Sequence, residues 1–293
     1  MTALLEFRRI WVLGAGTMGA GIAEVSARAG AEVTLTDQAG EQLERARALI
    51  GKSLRKAVER NKLPAEHADG ALSRITFGVE EPADANLVIE AVPENMDLKK
   101  MLLSAVGKRF PEAVIGSNTS SLSVTEIAAA VPNPERVLGL HFFNPPPVMM
   151  LLEVIQAEQS SSRTLERGVT WARQLGKTPI VIRDVPGFAT SRLGIILGME
   201  AIRMLEMGVG SVEDIDAAME LGYRHPMGPL KLTDLVGLDV RLAVAEHLAR
   251  EIGPQFQPPP LLRQLVRAGK CGRKSGEGFY RWSEDAPVAR RFR

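Results

Sequence analysis

Cysteine is nearly missing from this chain: Cys271 stands alone among 293 residues. One thiol excludes an internal disulfide and any multi-thiolate metal centre, and it fits a reducing compartment. Histidine is scarce as well, at positions 67, 141, 225 and 247, and no two are spaced i,i+4. A helical metal motif is therefore absent, and no metal is expected. Neither sign of charge dominates, because Lys+Arg 36 against Asp+Glu 35 leaves a net charge of +1. No global field then recruits nucleic acid or an anionic membrane surface, and neither is an expected partner. No apolar run is long enough to cross a bilayer. The run Ile10-Trp11-Val12-Leu13 begins within a dozen residues of the start, leaving no room for a signal peptide, so a cytoplasmic address is expected. Internal repeats and low-complexity tracts are also lacking.

What is present suits a well-filled core: 45% of residues are apolar, and the length suggests two domains or one large one. Arg9 to Leu13 reads as a short strand that runs straight into Gly14-Ala15-Gly16-Thr17-Met18-Gly19. Ala20 to Ala29 follows with helical spacing, Gly30 stops it, and Ala31 to Thr36 is a second strand ending at Asp37, 18 residues past Gly19. A bare G-x-G-x-x-G is weak evidence. In a strand–turn–helix setting each glycine has its own role, with a tight turn at Gly14, close approach of a pyrophosphate at Gly16, and helix-on-strand packing at Gly19. The helix N-terminus offers unpaired N–H groups to the phosphates. Asp37 would accept from the ribose hydroxyls and repel a 2′-phosphate, so the expected cofactor is NAD rather than NADP.

The same domain continues with a long helix from Glu41 to Lys62, and strands at Arg74–Phe77, Asn86–Val92 and Ala113–Ser117. The basic helix face of Lys52, Arg55, Lys56 and Arg60, beside Ser53, is either a solvated surface or a seat for a phosphate-bearing group. The polar run Ser117-Asn118-Thr119-Ser120-Ser121 falls at a strand's carboxyl end, where ligands of doubly wound sheets gather.

The stretch from Val137 to Ile155 then reads as a strand ending at His141, a rigid connection through Pro145, Pro146 and Pro147, and an apolar strand whose one charge is Glu153. A carboxylate among Leu151, Leu152, Val154 and Ile155 needs a donor, and His141 lies twelve residues upstream. A carboxylate on one imidazole nitrogen fixes the tautomer and leaves the other nitrogen to act as base or acid. Taken alone, the spacing better fits a packed strand-end histidine and a salt-bridged glutamate. The glycine motif turns the balance toward chemistry.

With these segments, and with Pro186-Gly187-Phe188 and Lys274-Ser275-Gly276-Glu277-Gly278-Phe279-Tyr280 further on, nearly the whole chain resembles the L-3-hydroxyacyl-CoA dehydrogenase family, bacterial 3-hydroxybutyryl-CoA dehydrogenases included. The resemblance implies NAD-dependent oxidation of an (S)-3-hydroxyacyl-CoA thioester, with His141, Glu153 and Ser120 in the catalytic group. It implies substrate contacts from Asn144, Ser191, Ser53 and Arg60. Cofactor contacts would come from Gly14, Gly16, Gly19, Asp37, Ala91, Glu94, Lys99, Asn118 and Lys274. Arg60 stands where the family usually has lysine, and both pair with phosphate. Ser191 stands where it usually has asparagine, so one short hydroxyl replaces an amide.

Around Arg183 to Gly187 the alternation of strand and helix stops. The expected organisation is a Rossmann-type, mostly parallel α/β domain over 1–184 and an all-α substrate and dimerisation domain over 185–293. Helices are read to about Met207, from Ser211 with Asp214 as a capping pair, and from Leu230 to Glu251. Met199, Met204, Met207 and Met219 fit core packing better than an acyl pocket. Arg290, Arg291 and Arg293 read as a solvated tail. A homodimer through the helical lobe is what the resemblance implies. A dehydrogenase of a free hydroxy acid, of gulonate or carnitine type, and a non-catalytic crystallin-like NAD binder remain the alternatives.

Overall fold

The computed structural model describes residues 5–283 and 286–292; Arg293 lies outside them. The chain divides into two compact units, Met1–Val185 and Pro186–Arg293, a division one residue beyond the expected one.

The first unit is built on strands β1 (Arg9–Leu13), β2 (Glu32–Thr36), β3 (Ile75–Gly78), β4 (Leu87–Glu90), β5 (Val114–Ser117), β6 (Val137–Phe142), β7 (Leu151–Gln156) and β8 (Thr178–Arg183). They form one sheet in the order β3-β2-β1-β4-β5-β6-β7-β8. Every pair is parallel except β6 with β7, which is antiparallel. The central strands β4, β5 and β6 are buried along their whole length, as continuous apolar runs between two helical layers require.

Helix α1 (Thr17–Arg28) lays Ile22, Ala23 and Val25 on the sheet, in one core with Val12, Leu35, Ile89, Leu140 and Trp171. Helices α2 (Gly40–Glu59) and α3 (Ala65–Ser73) follow. The helix expected to reach Lys62 stops early because Asn61 takes a left-handed φ of 54°. Sequence reading passes over α3, whose buried face is only Ala68 and Ala71 and leaves almost no apolar rhythm. Beyond α4 (Met96–Arg109) and α5 (Val124–Ala128) it also misses α6 (Ser162–Gln174) and β8. Helix α6 buries Thr164, Gly168, Trp171 and Ala172, and β8 carries Pro179, which is admissible because this strand is the sheet's edge.

The second unit packs α7 (Thr190–Glu206), α8 (Val212–Gly222), α9 (Pro229–Val236), α10 (Leu238–Glu251) and α11 (Pro260–Arg267) around Ile195, Met199, Ile202, Leu230, Leu238 and Leu248. The capping pair at Ser211 and Asp214 forms a reciprocal box. The single helix expected from Leu230 to Glu251 is two, because Gly237 sits at φ 108° between them. The unit also contains a short antiparallel ribbon, β9 (Tyr280–Arg281) with β10 (Val288–Ala289), where an all-helical lobe was expected.

Two buried aspartates hold that last segment. Asp234 accepts from the backbone N–H of Phe279 and Tyr280, each at 2.8 Å, and from Trp282 Nε1 at 2.9 Å. Asp216 accepts from Leu230 N and from the Tyr280 hydroxyl at 2.7 Å. Arg290, read as solvated, pairs with Glu277 at 2.8 Å and stacks over Phe292; Arg291 is exposed. Met199 is fully buried, whereas Met207 is 77% exposed.

The glycine turn yields a test. A Cβ at Gly19 would sit 1.8 Å from the Gly14 carbonyl oxygen, whereas one at Gly16 would meet nothing within 4 Å. Gly19→Ala should lower the thermal midpoint by roughly 5–10 °C, while Gly16→Ala should melt within about 2 °C of the parent in the same calorimetric scan.

Candidate active site

At the carboxyl end of β1 the chain folds into a cradle. Gly14 takes φ 95°, and a Cβ there would come 2.7 Å from Ala91 O at the end of β4. Gly16 is the N-cap of α1 and provides no side-chain cap, so the helix presents bare N–H groups and its positive dipole end to open space. Asp37, just past β2, is fixed by backbone N–H groups, accepting at Oδ2 from Ala15 at 2.9 Å and at Oδ1 from Ala39 at 3.0 Å. The vacant side of Gly16 and an oriented acid on the neighbouring strand fit the pyrophosphate and ribose of NAD.

The next strand ends carry a connected polar cluster. Glu90 has no exposed surface; Oε1 accepts from Lys99 Nζ at 2.6 Å and Val92 N at 2.7 Å, and Oε2 accepts from Ser117 Oγ at 2.6 Å. Lys99, itself 1% exposed, reaches Glu94 at 3.3 Å as well. Glu94 in turn accepts from Thr119 Oγ1 at 2.6 Å and from Ser120 N at 3.0 Å. Two carboxylates thus share one buried ammonium and pin the Asn118–Ser121 loop. Burial opposes the charge of Glu94, but Lys99, Thr119 and Ser120 outweigh it and hold its carboxyl below the usual glutamate value.

Strand β6 delivers His141 to this same edge. In the antiparallel pairing with β7, His141 stands directly opposite Glu153, and Nδ1 lies 2.6 Å from Oε2. Glu153 is 0% exposed and His141 7%, so the ring is enclosed rather than facing bulk water. Its other nitrogen, Nε2, points away from the carboxylate, and the Phe143 ring packs at 4.5 Å. Asn118 Oδ1 accepts from Phe142 N at 2.9 Å, which joins the β5 loop to the histidine strand. Asn144 follows, exposed, at the start of the proline loop.

On α2, Ser53 donates to Glu24 at 3.0 Å, and burial pushes the Glu24 carboxyl upward despite Ser53 and Arg28. The Ser53 hydrogen is thereby committed, leaving its lone pairs as acceptors. Lys52, Arg55, Lys56 and Arg60 are all exposed. Ser191 and Lys274 belong to the second unit. Ser191 is in the first turn of α7, and Lys274 pairs with Asp239 at 2.6 Å.

Sequence reasoning missed Glu90 and Thr119. Glu90 carried the same signal as Glu153, a lone charge in an apolar strand, and Lys99 was named without its buried partner.

A nucleotide-binding sheet with an acid-held histidine at its ligand edge defines a dinucleotide-dependent dehydrogenase. Comparison makes the class specific. The 3-hydroxyacyl-CoA dehydrogenase NAD-binding domain matches residues 9–185, and the C-terminal domain of the same name matches residues 187–282. The probable 3-hydroxybutyryl-CoA dehydrogenase of Deinococcus radiodurans is 44% identical over 275 residues, covering 92% of this chain and 99% of the relative. The mitochondrial hydroxyacyl-coenzyme A dehydrogenase of Homo sapiens is 41% identical over 286 residues, covering 94% and 91%. The crystal structure of (S)-3-hydroxybutyryl-CoA dehydrogenase from Ralstonia eutropha has a TM-score of 0.91 at 39% identity, covering 95% of this chain and all of the other. The chain belongs to the 3-hydroxyacyl-CoA dehydrogenase family and is an NAD-dependent oxidoreductase.

Glu94 supplies a pH test with a fixed sign. A carboxylate whose folded pKa is depressed contributes stability above its unfolded value, 4.5, and loses it as pH falls through the folded one. The urea midpoint of the parent should exceed that of Glu94→Gln at about pH 6, and the gap should close toward about pH 3. A gap that stays constant would remove the ion pair from the account.

Proposed function

We propose that the protein catalyses the reversible oxidation of (S)-3-hydroxyacyl-CoA to 3-ketoacyl-CoA, with His141 and Glu153 as its proton-handling pair. The observation that carries this reading is the enclosed 2.6 Å contact between Glu153 Oε2 and His141 Nδ1. Glu153 holds the imidazole so that Nε2 takes the proton of the substrate's 3-hydroxyl, and it offsets the charge the ring then gains. NAD, when bound, supplies the acceptor for the hydride that leaves C3. Ser120 and Asn144 orient the substrate oxygen, and Ser191 adds one hydroxyl. Asp37, Ala91, Glu94, Lys99, Asn118 and Lys274 serve the cofactor, Glu94 and Lys99 acting as one charged unit.

The coenzyme A moiety is assigned to α2, through Ser53 and Arg60, which favours a thioester over a free hydroxy acid. We assign the protein to cytoplasmic fatty-acid oxidation, in keeping with its single cysteine. A homodimer through the second unit is supported by the exposed Leu193 and Leu197 on α7, Leu232, Leu235 and Val236 on α9, and Val240 on α10. Ser191, where the family usually has asparagine, favours a second reading in which the preferred acyl group differs from hydroxybutyryl.

His141→Gln should reduce turnover by ~10²–10⁴ while leaving NADH affinity within about twofold, measured by stopped-flow kinetics and fluorescence titration. NADH should reduce acetoacetyl-CoA at least about a hundredfold faster than acetoacetate; equal rates would move the assignment to a free acid.

A further inference from the structure

The loop between β6 and β7 is rich in acceptors and poor in donors. Pro145, Pro146 and Pro147 have no N–H, so the loop has more backbone carbonyls than N–H groups of its own to pair with them. Pro145 O takes Val148 N at 2.9 Å and Met149 N at 3.1 Å, and Met150 O takes Thr178 N at 2.8 Å. The carbonyls of Pro146 and Met149 are left to a side chain. Lys177, 8% exposed and just before β8, donates from Nζ to both, at 2.6 Å and 2.8 Å. Neither partner is charged, and burial, with Arg28 adding to it, pushes the ammonium below the usual lysine value. A buried lysine held by neutral oxygens alone is costly, and here that cost is spent on fixing two carbonyls of one loop.

The other side of the loop is closed equally tightly. Pro146 is buried against α1, where a Cβ on Gly21 would come 2.6 Å from the proline ring. The loop is therefore clamped between the helix that begins at the dinucleotide cradle and the ammonium of Lys177. It carries Asn144 and joins the two strands whose register sets His141 against Glu153.

We propose that Lys177 is a positioning residue for the reaction: it holds the 144–150 loop so that Asn144 and the His141–Glu153 pair keep a reactive geometry. The inference rests on the function proposed above. A displacement of about 1 Å at a reacting group costs of the order of 10²-fold in rate, which sets the size of the effect.

The test compares the parent with Lys177→Met, Lys177→Arg and Gly21→Ala, using acetoacetyl-CoA and NADH. Lys177→Met should lower kcat about 10–100-fold with KM for NADH within about twofold, and Lys177→Arg should recover most of that loss. Gly21→Ala, which presses on Pro146 from the other face, should lower kcat in the same way with Lys177 intact. Without substrate, amide hydrogen exchange at Val148 and Met149 should rise at least about tenfold in Lys177→Met. A Lys177→Met or Gly21→Ala enzyme with parental kcat would overturn the proposal. So would a kcat loss in Lys177→Met that comes with unchanged exchange at the two amides. A parent unable to reduce any 3-ketoacyl thioester would instead overturn the assigned function.

Discussion

A glutamate with no exposed surface is tolerable at position 153 because strand register sets a ring nitrogen 2.6 Å from it. That constraint reaches through the first unit. It needs an antiparallel step inside an otherwise parallel sheet, since a hairpin-like return is what brings residues twelve apart directly opposite each other. The return needs a rigid connection, and the prolines provide rigidity while leaving carbonyls that a buried lysine must serve. It also needs a neighbour to hold the histidine strand, which Asn118 does by accepting from Phe142 N. Glu90 on β4, three strands from Glu153, repeats the device, a buried carboxylate rendered harmless by Lys99 and Ser117. The ligand edge of the sheet is thus a line of acids, each matched with donors.

Much of this was legible in the residues. The glycine turn, Asp37 and the pairing of His141 with Glu153 could all be read, because each depends on local backbone freedom or on a single charge in an apolar run. Helix α3 and strand β8 could not, for one rests on alanines and the other carries a proline that only an edge position admits. The roles of Lys99 and Lys177 were hidden for a different reason. Each lysine meets its partners on another element or loop, so the residues beside it in sequence do not reveal that it is buried.

The second unit divides in the same way. Its capping box was plain from Ser211 and Asp214, which are three residues apart. The ribbon of β9 and β10 was not, since it is fixed by Asp216 and Asp234, which hold Tyr280 from positions 64 and 46 residues away. Arg290 was read as tail because its partner, Glu277, is brought close only in the folded chain.

The antiparallel pairing of β6 with β7 has a consequence for how such a chain tolerates change in length. Successive side chains of a strand face opposite sides of the sheet, so inserting or deleting one residue within β6 or β7 would turn either the imidazole or the carboxylate to the other face. Compensating indels in both strands would restore the match, whereas a single one abolishes it. Descendants of this gene should therefore keep the parity of both strands.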